Sequence, residues 1–220
     1  MRTLLKAICS LRSSCYESLG AVCVSLLLLS IACMTGCSDG ASQITMPGFD
    51  PQAAAARAIE AYDQDKNGSI SKAEMAASPA LQGASKEIDQ DGDGALSLAE
   101  IESRVEQYVA SNTGLQSLSC RATVRGRPLA GAKVKFVPVE FLNEAIGPAE
   151  ATLRANGSGA VMASGGKLPG LSPGLYRVEV YAPEGSGREI ASEYNADSKL
   201  WYELNPLEPP ALAEFSVEFQ

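Results

Sequence analysis

The 220-residue sequence contains no histidine and only one tryptophan. The absence of histidine excludes Ser-His-Asp and Cys-His catalysis, and it excludes zinc sites of the histidine-ligated peptidase kind. Paired carboxylates could still act in catalysis. The acidic residues with a regular spacing, however, lie in two loops whose pattern suits metal binding better. We therefore expect that the protein is not an enzyme.

Basic residues are outnumbered by acidic ones, with 18 lysines and arginines against 26 aspartates and glutamates and a formal net charge of −8. Three of the basic residues and one of the acids precede residue 37, so the remainder carries a net charge of −10. This remainder contains no run of lysine and arginine. Such a surface repels nucleic acid and suits cations, so we expect no nucleic-acid partner.

Two twelve-residue segments, DQDKNGSISKAE at 63–74 and DQDGDGALSLAE at 89–100, follow one rule. Oxygen-bearing side chains occupy positions 1, 3, 5 and 9, glycine occupies position 6, and glutamate occupies position 12. This is the pattern of an EF-hand calcium loop, because Ca²⁺ takes about six to eight oxygen ligands from several directions. The predicted ligands are Asp63, Asp65, Asn67, Ser69, Ser71 and Glu74 in the first loop, and Asp89, Asp91, Asp93, Ala95, Ser97 and Glu100 in the second. Ser69 and Ala95 would bind through their backbone carbonyls.

An alternative interpretation of these segments is a pair of acidic, solvated turns. The complete match of both segments, and their likeness to each other, favour a duplicated calcium-binding unit. Ile70 and Leu96, at position 8, are expected to form a short backbone bridge between the loops. Helical patterns at 51–62, 79–88 and 98–110 flank the loops, and a short helix is expected from Lys72 because Pro79 limits its extension.

The N-terminal segment has the features of a secretory signal peptide. Its leader is basic, and the apolar core over 19–34 is short for a membrane span, which needs about 20 residues. The segment Met34-Thr35-Gly36-Cys37 resembles a bacterial lipobox, and the resemblance implies cleavage before Cys37 and diacylation of its thiol. Ser30-Ile31-Ala32-Cys33 is a weaker competing match, and an uncleaved signal anchor is the alternative. All of these interpretations place the rest of the chain outside the cytoplasm.

Processing at this position would leave Cys120 as the one cysteine besides the lipidated Cys37. It could not form an intramolecular disulfide. Because it alternates with Leu118 and Ala122, we expect it to be a buried, small apolar residue.

The second half of the chain has the pattern of a β-structure. Short alternating segments separated by glycine and proline predict strands at 118–125, 132–139, 151–154, 160–163, 174–181, 200–204 and 212–219. Phe136 and Tyr176 are expected to fill the centre between the sheets. Seven short strands with regular turns predict an antiparallel, two-sheet sandwich.

Three segments of this half resemble the carboxypeptidase regulatory-like family, whose fold is a transthyretin-like sandwich. They are VRGRPLAGAKVKFVP at 124–138, NGSG at 156–159 and PGLYRVEV at 173–180. A later segment, 193–204, resembles lipoproteins of planctomycete-type bacteria. The resemblance implies a mostly non-catalytic module attached to another activity.

Together these features predict an α+β chain of two domains, a compact helical EF-hand pair and a seven-stranded antiparallel β-sandwich of transthyretin-like type. The predicted boundaries are a signal peptide over 1–36, a flexible tether over 37–50, the EF-hand pair over 51–114 and the sandwich over 115–220. A short polar join at 112–114 and separate apolar patterns predict that each half has its own core.

The expected function is calcium binding, with two Ca²⁺ ions, by an extracytoplasmic protein that is lipid-anchored to the cell envelope. Calcium would be structural or mildly sensory. The alternative is a binding module whose sandwich recognises a glycan or an envelope protein, with the EF-hands as a spacer. This alternative requires an exposed aromatic surface. Trp201 and Tyr202 are adjacent in a predicted strand and therefore point to opposite faces, so one of them could supply it.

Overall fold

The computed structural model describes residues 50–163, 167–208, 210 and 212–220, and all of them belong to one compact unit. The predicted signal peptide and the predicted lipidation site Cys37 lie outside the described residues. Within the described part of the chain, no helix has the length and apolar character needed to cross a membrane.

Each α-helix in the described part of the chain begins after a side chain that accepts a hydrogen bond from a backbone N–H of the first turn. These capping residues are Asp50, Ser71, Ser78 and Ser97. Ser71 and Ser97 also form capping boxes with the glutamates three positions later. The helix bounds agree with the sequence prediction, and they are α1 (Pro51–Tyr62), α2 (Lys72–Met75), α3 (Pro79–Ile88) and α4 (Leu98–Ala110).

The β-strands of the described residues form one small bridge and two sheets. Their bounds are β1 (Ser69–Ile70), β2 (Leu96–Ser97), β3 (Ser119–Val124), β4 (Arg127–Pro128), β5 (Lys133–Pro138), β6 (Ala149–Thr152), β7 (Ser158–Ala160), β8 (Met162–Ala163), β9 (Gly174–Tyr181), β10 (Trp201–Leu204) and β11 (Ala213–Val217). Two 3-10 turns lie at Glu140–Leu142 and Ser192–Tyr194.

The bridge joins the two predicted calcium loops. Strands β1 and β2 pair antiparallel with Ile70 opposite Leu96, and both side chains are fully buried. The predicted bridge between the loops is therefore confirmed, and both of its side chains enter the core.

The sheets differ from the prediction of seven antiparallel strands. One sheet has the order β10-β9-β5-β6-β8 and is antiparallel, whereas in the other β3 pairs parallel with β11 and antiparallel with β4 and β7. The described β part therefore has nine strands. The expected strand at 160–163 divides at Val161 into β7 and β8, which belong to different sheets. Strand direction was missed because the period of two in side-chain orientation is the same for parallel and antiparallel strands.

The two sheets pack against each other through aromatic side chains. The ring of Phe136 makes edge contacts with Tyr176 of its own sheet and with Phe215 of the other, with centroids 6.3 and 6.1 Å apart. Phe136 and Tyr176 are fully buried, as predicted. Cys120 is also fully buried, and burial raises the pKa of its thiol to about 12.

The helical part and the β part share one core, which corrects the prediction of two separate cores. On α4, the Arg104 guanidinium meets the Glu203 carboxylate of β10 in a forked ion pair, with Nε–Oε1 and Nη2–Oε2 distances of 2.7 and 2.8 Å. The Tyr108 hydroxyl donates a further hydrogen bond to Glu203. The side chains of Arg104 and Glu203 are only 10% and 9% exposed. The predicted boundary at residue 114 itself stays a prediction.

Two further contacts join these parts. The indole of Trp201 covers Gly83 of α3 so closely that a Cβ there would lie 2.1 Å from Trp201 Cε2. Arg57 of α1 donates a hydrogen bond from Nη2 to the carbonyl oxygen of Phe141, at 3.3 Å. Trp201 and Tyr202 are both half-buried and pack against the core, so neither is the exposed aromatic surface that the binding-module alternative requires.

Candidate metal centre

The first loop brings three carboxylates together. Oxygen atoms of Asp63, Asp65 and Glu74 lie within 4.8 Å of one another. The Asp63 carboxylate accepts hydrogen bonds from the backbone N–H groups of Asn67 and Gly68, at 3.2 and 2.8 Å. The loop therefore turns its own N–H groups toward its first carboxylate and fixes the direction of that side chain.

Glu74, the last residue of this loop, receives hydrogen bonds from both ends of the loop. Its Oε1 accepts from the backbone of Gln64 at 2.7 Å and of Asp65 at 3.3 Å. Its Oε2 accepts from the Ser71 hydroxyl at 2.7 Å and the Ser71 N–H at 2.8 Å. The donors on Ser71, followed by those on Gln64 and Asp65, lower the pKa of the Glu74 carboxyl to about 2. The residue therefore remains an anionic oxygen donor over the whole physiological pH range.

The second loop gathers a different set of carboxylates. Oxygen atoms of Asp89, Asp91 and Asp93 lie within 4.8 Å of one another, and Glu100 is outside this group. Glu100 instead accepts hydrogen bonds from Gln90 N and Ser97 N, both at 2.8 Å. Burial raises the pKa of Glu100, but the donors from Ser97, Gln90 and Asp91 outweigh it, and the net pKa is lowered.

The remaining predicted ligands lie beside these clusters. The side chain of Asn67 accepts from the N–H and hydroxyl of Ser69, at 2.9 and 2.8 Å, and Asp93 accepts from the N–H of Ala95 at 2.7 Å. Ser71 and Ser97 donate their hydroxyl protons to the glutamates at position 12. The roles of all twelve residues as individual ligands stay predictions.

The two loops follow the same backbone path. Position 6 has a positive φ in both, 91° at Gly68 and 85° at Gly94. Position 4 also has a positive φ in both, 60° at Lys66 and 76° at Gly92. The bend at position 4 was not predicted from the sequence, although Gly92 at this position of the second loop was a signal for it.

The donor set fits a hard cation. Three carboxylates within 4.8 Å of one another repel without a cation between them, because each carries a negative charge in a small space. Carboxylate, amide and carbonyl oxygens are the ligands that Ca²⁺ and Mg²⁺ prefer, and a flexible loop with many such donors favours Ca²⁺.

Comparisons with known proteins agree with this site. Residues 56–77 and 86–105 each match the family model described as EF hand. No curated protein and no solved structure matches the chain. The chain thus contains an EF-hand pair followed by a β-rich region, and the carboxypeptidase regulatory-like identity of that region stays a prediction.

Proposed function

We propose that the protein binds two Ca²⁺ ions, one in each EF-hand loop, and that calcium acts mainly as a structural ion. The most direct support is that each loop contains a cluster of three carboxylates and that both loops have positive φ angles at positions 4 and 6. Cation binding would remove the repulsion within each cluster and so stabilise the folded loops. The affinity expected for an extracellular module is about 10⁻⁴–10⁻³ M.

The effect of calcium would extend beyond the loops. The bridge between Ile70 and Leu96 connects the two sites directly. Helix α4 begins at the second loop and carries Arg104 to the carboxylate of Glu203 in the β part. Calcium binding in the second loop would therefore also stabilise the contact between α4 and β10.

Equilibrium dialysis of the full chain against ⁴⁵Ca²⁺ tests the number of ions. We expect two ions per chain, one after Glu74→Gln or Glu100→Gln, and none in the double variant, because an amide cannot replace a bidentate carboxylate. Glu106→Gln is the matched control, since this exposed glutamate lies on α4 outside the loops. A stoichiometry that both loop variants leave unchanged would reject the proposal.

We further propose that the chain is exported and anchored to the cell envelope by a lipid on Cys37. The support is the basic leader, the short apolar core and the lipobox-like segment before this cysteine. Labelled palmitate should enter the wild-type protein and be lost in Cys37→Ala. Loss in Cys33→Ala instead would move the anchor to Cys33, and absence of label from the wild type would favour an uncleaved signal anchor.

A further inference from the structure

An unusual group of arginines lies in the β part, away from the calcium loops. Among the eight arginines that the structure describes, four form ion pairs with glutamates, namely Arg57, Arg104, Arg121 and Arg177. Arg125, Arg127, Arg154 and Arg188 form none within the described residues. Three of these four, Arg125, Arg127 and Arg188, line a single cavity of about 780 Å³. In a chain with an excess of acidic residues, this grouping of unpaired cations requires an explanation.

The cavity combines these cations with an apolar floor. Val124, Pro128, Leu129 and Phe219 contribute apolar surface and Gln220 contributes polar atoms, and no aspartate or glutamate is among the described lining residues. The Arg188 guanidinium lies 5.2 Å from the centroid of the Phe219 ring, in a cation–π contact. The cavity thus presents several guanidinium groups beside surface that could contact a nonpolar group.

Arg125 occupies a backbone position that does not favour arginine. Val124 pairs with Arg127, so Arg125 and Gly126 form a two-residue hairpin loop. Both have positive φ, at 49° and 74°, as in a type I′ turn. Glycine, asparagine and aspartate are the usual residues at the first of these positions, because other side chains are strained there. The conformation of this turn therefore disfavours arginine at position 125, although Arg125 lines the cavity.

We propose that this three-arginine cavity binds the phosphate group of a phosphate ester. A phosphate monoester carries about −1.5 to −2 charges and three acceptor oxygens, so it can bond several guanidinium groups at once. A carboxylate, in contrast, is matched by the fork of one arginine. The apolar floor beside Phe219 accommodates the organic group of the ester. The ester belongs to a lipid headgroup or to a soluble molecule, and both present the same phosphate chemistry.

Binding can be measured by NMR on the full chain labelled with ¹⁵N-arginine, in neutral detergent with EDTA. The titration is repeated in excess Ca²⁺, because the helical and β parts share one core, and a result that is the same in both conditions is independent of the calcium proposal. Glycerol 3-phosphate and short-chain phosphatidic acid are the two probes. We expect saturable shifts of the Nε–H signals of Arg125, Arg127 and Arg188, and unchanged signals from Arg121. Tenfold tighter binding of the lipid would identify a headgroup, and equal binding would identify a soluble ester.

Two variants separate loss of charge from loss of fold. Arg125→Asn should weaken binding about tenfold, because a charge-assisted hydrogen bond is lost while asparagine suits the positive φ of the turn. Arg188→Gln should weaken it by a similar factor. Arg121→Gln, an exposed arginine of the same sheet, should leave the affinity unchanged. Shifts that stay linear in ligand concentration, or equal affinities in the wild type and both cavity variants, would overturn the proposal.

Discussion

The ion pair between Arg104 and Glu203 provides the sharpest test of how the EF-hand pair and the β part are connected. We predict that Glu203→Leu lowers the free energy of unfolding by about 3–5 kcal/mol, the usual cost of removing one partner from a buried pair. Burial alone would lower the pKa of Arg104, but its hydrogen bonds and charge contact with Glu203 outweigh this, and the net pKa is raised. Leucine would remove the carboxylate partner of a guanidinium group that is only 10% exposed in the wild-type structure.

A second substitution distinguishes the ion pair from simple packing. Arg104→Met/Glu203→Leu should be less destabilised than Glu203→Leu alone, because no buried charge remains unpaired. The Tyr108 hydroxyl would then lack its acceptor, at a cost of about 1–3 kcal/mol that Tyr108→Phe should largely recover. Lys199→Met is the control for an exposed pair with Glu193, and its cost should be under about 1 kcal/mol.

Urea unfolding at saturating calcium measures these energies. Trp201 is the sole tryptophan of the sequence and covers α3, so its fluorescence reports on the contact between the helical and β parts. Far-UV circular dichroism reports on both parts together. A loss below about 1 kcal/mol in Glu203→Leu, or a double variant as unstable as the sum of its singles, would refute the argument that buried charge couples them.

Three further predictions concern single positions. In urea unfolding, Gly83→Ala should lower the free energy of unfolding by about 1–3 kcal/mol, although alanine has the better helix propensity. The alanine Cβ would collide with the indole of Trp201, and Trp201→Phe should therefore recover part of the loss. Between pH 9 and 12 the free energy of unfolding should fall faster in the wild type than in Cys120→Ala, by about 1.4 kcal/mol per pH unit. The cause is that burial raises the thiol pKa of Cys120 to about 12, so in this range the thiol ionises only in the unfolded chain. Equal slopes in urea unfolding measured across this pH range would contradict this. By NMR titration, Asp93→Asn should weaken the second calcium loop and Asn67→Asp should strengthen the first, since ligand charge tunes affinity; unchanged affinities would contradict this.

The EF-hand pair was predictable because its determinants are local. Each loop places its carboxylates, its glycine bend and its capping residue within twelve positions, so the spacing alone indicates the geometry. The helices followed for the same reason, since Ser71 and Ser97 serve both the loop and the start of the next helix. What local spacing did not reveal was that Glu100 would lie apart from the carboxylate group of its loop.

The contacts between the helical and β parts were not predictable from such patterns. Arg104 and Glu203 are 99 positions apart, and neither stands in a recognisable motif. Tyr108 is buried on α4, and its spacing in the sequence does not indicate that its hydroxyl donates to Glu203. Gly83 is the clearest missed signal. A glycine inside a helix lowers helix stability, so its presence indicates that another group approaches the backbone closely, as Trp201 does here.

The parallel pairing of β3 with β11 has a consequence for the order in which the chain folds. Strand β3 can pair early with β4 and β7, but Cys120 lies opposite Ala213, so β3 meets its third neighbour, β11, only after nearly all of the β part has been synthesised. The helical loops, in contrast, depend on partners close along the chain and can form early. Loop closure over such a distance makes β3–β11 pairing slower than the pairing of β3 with β4 and β7, and until β11 pairs, one edge of β3 stays open to aggregation with other chains.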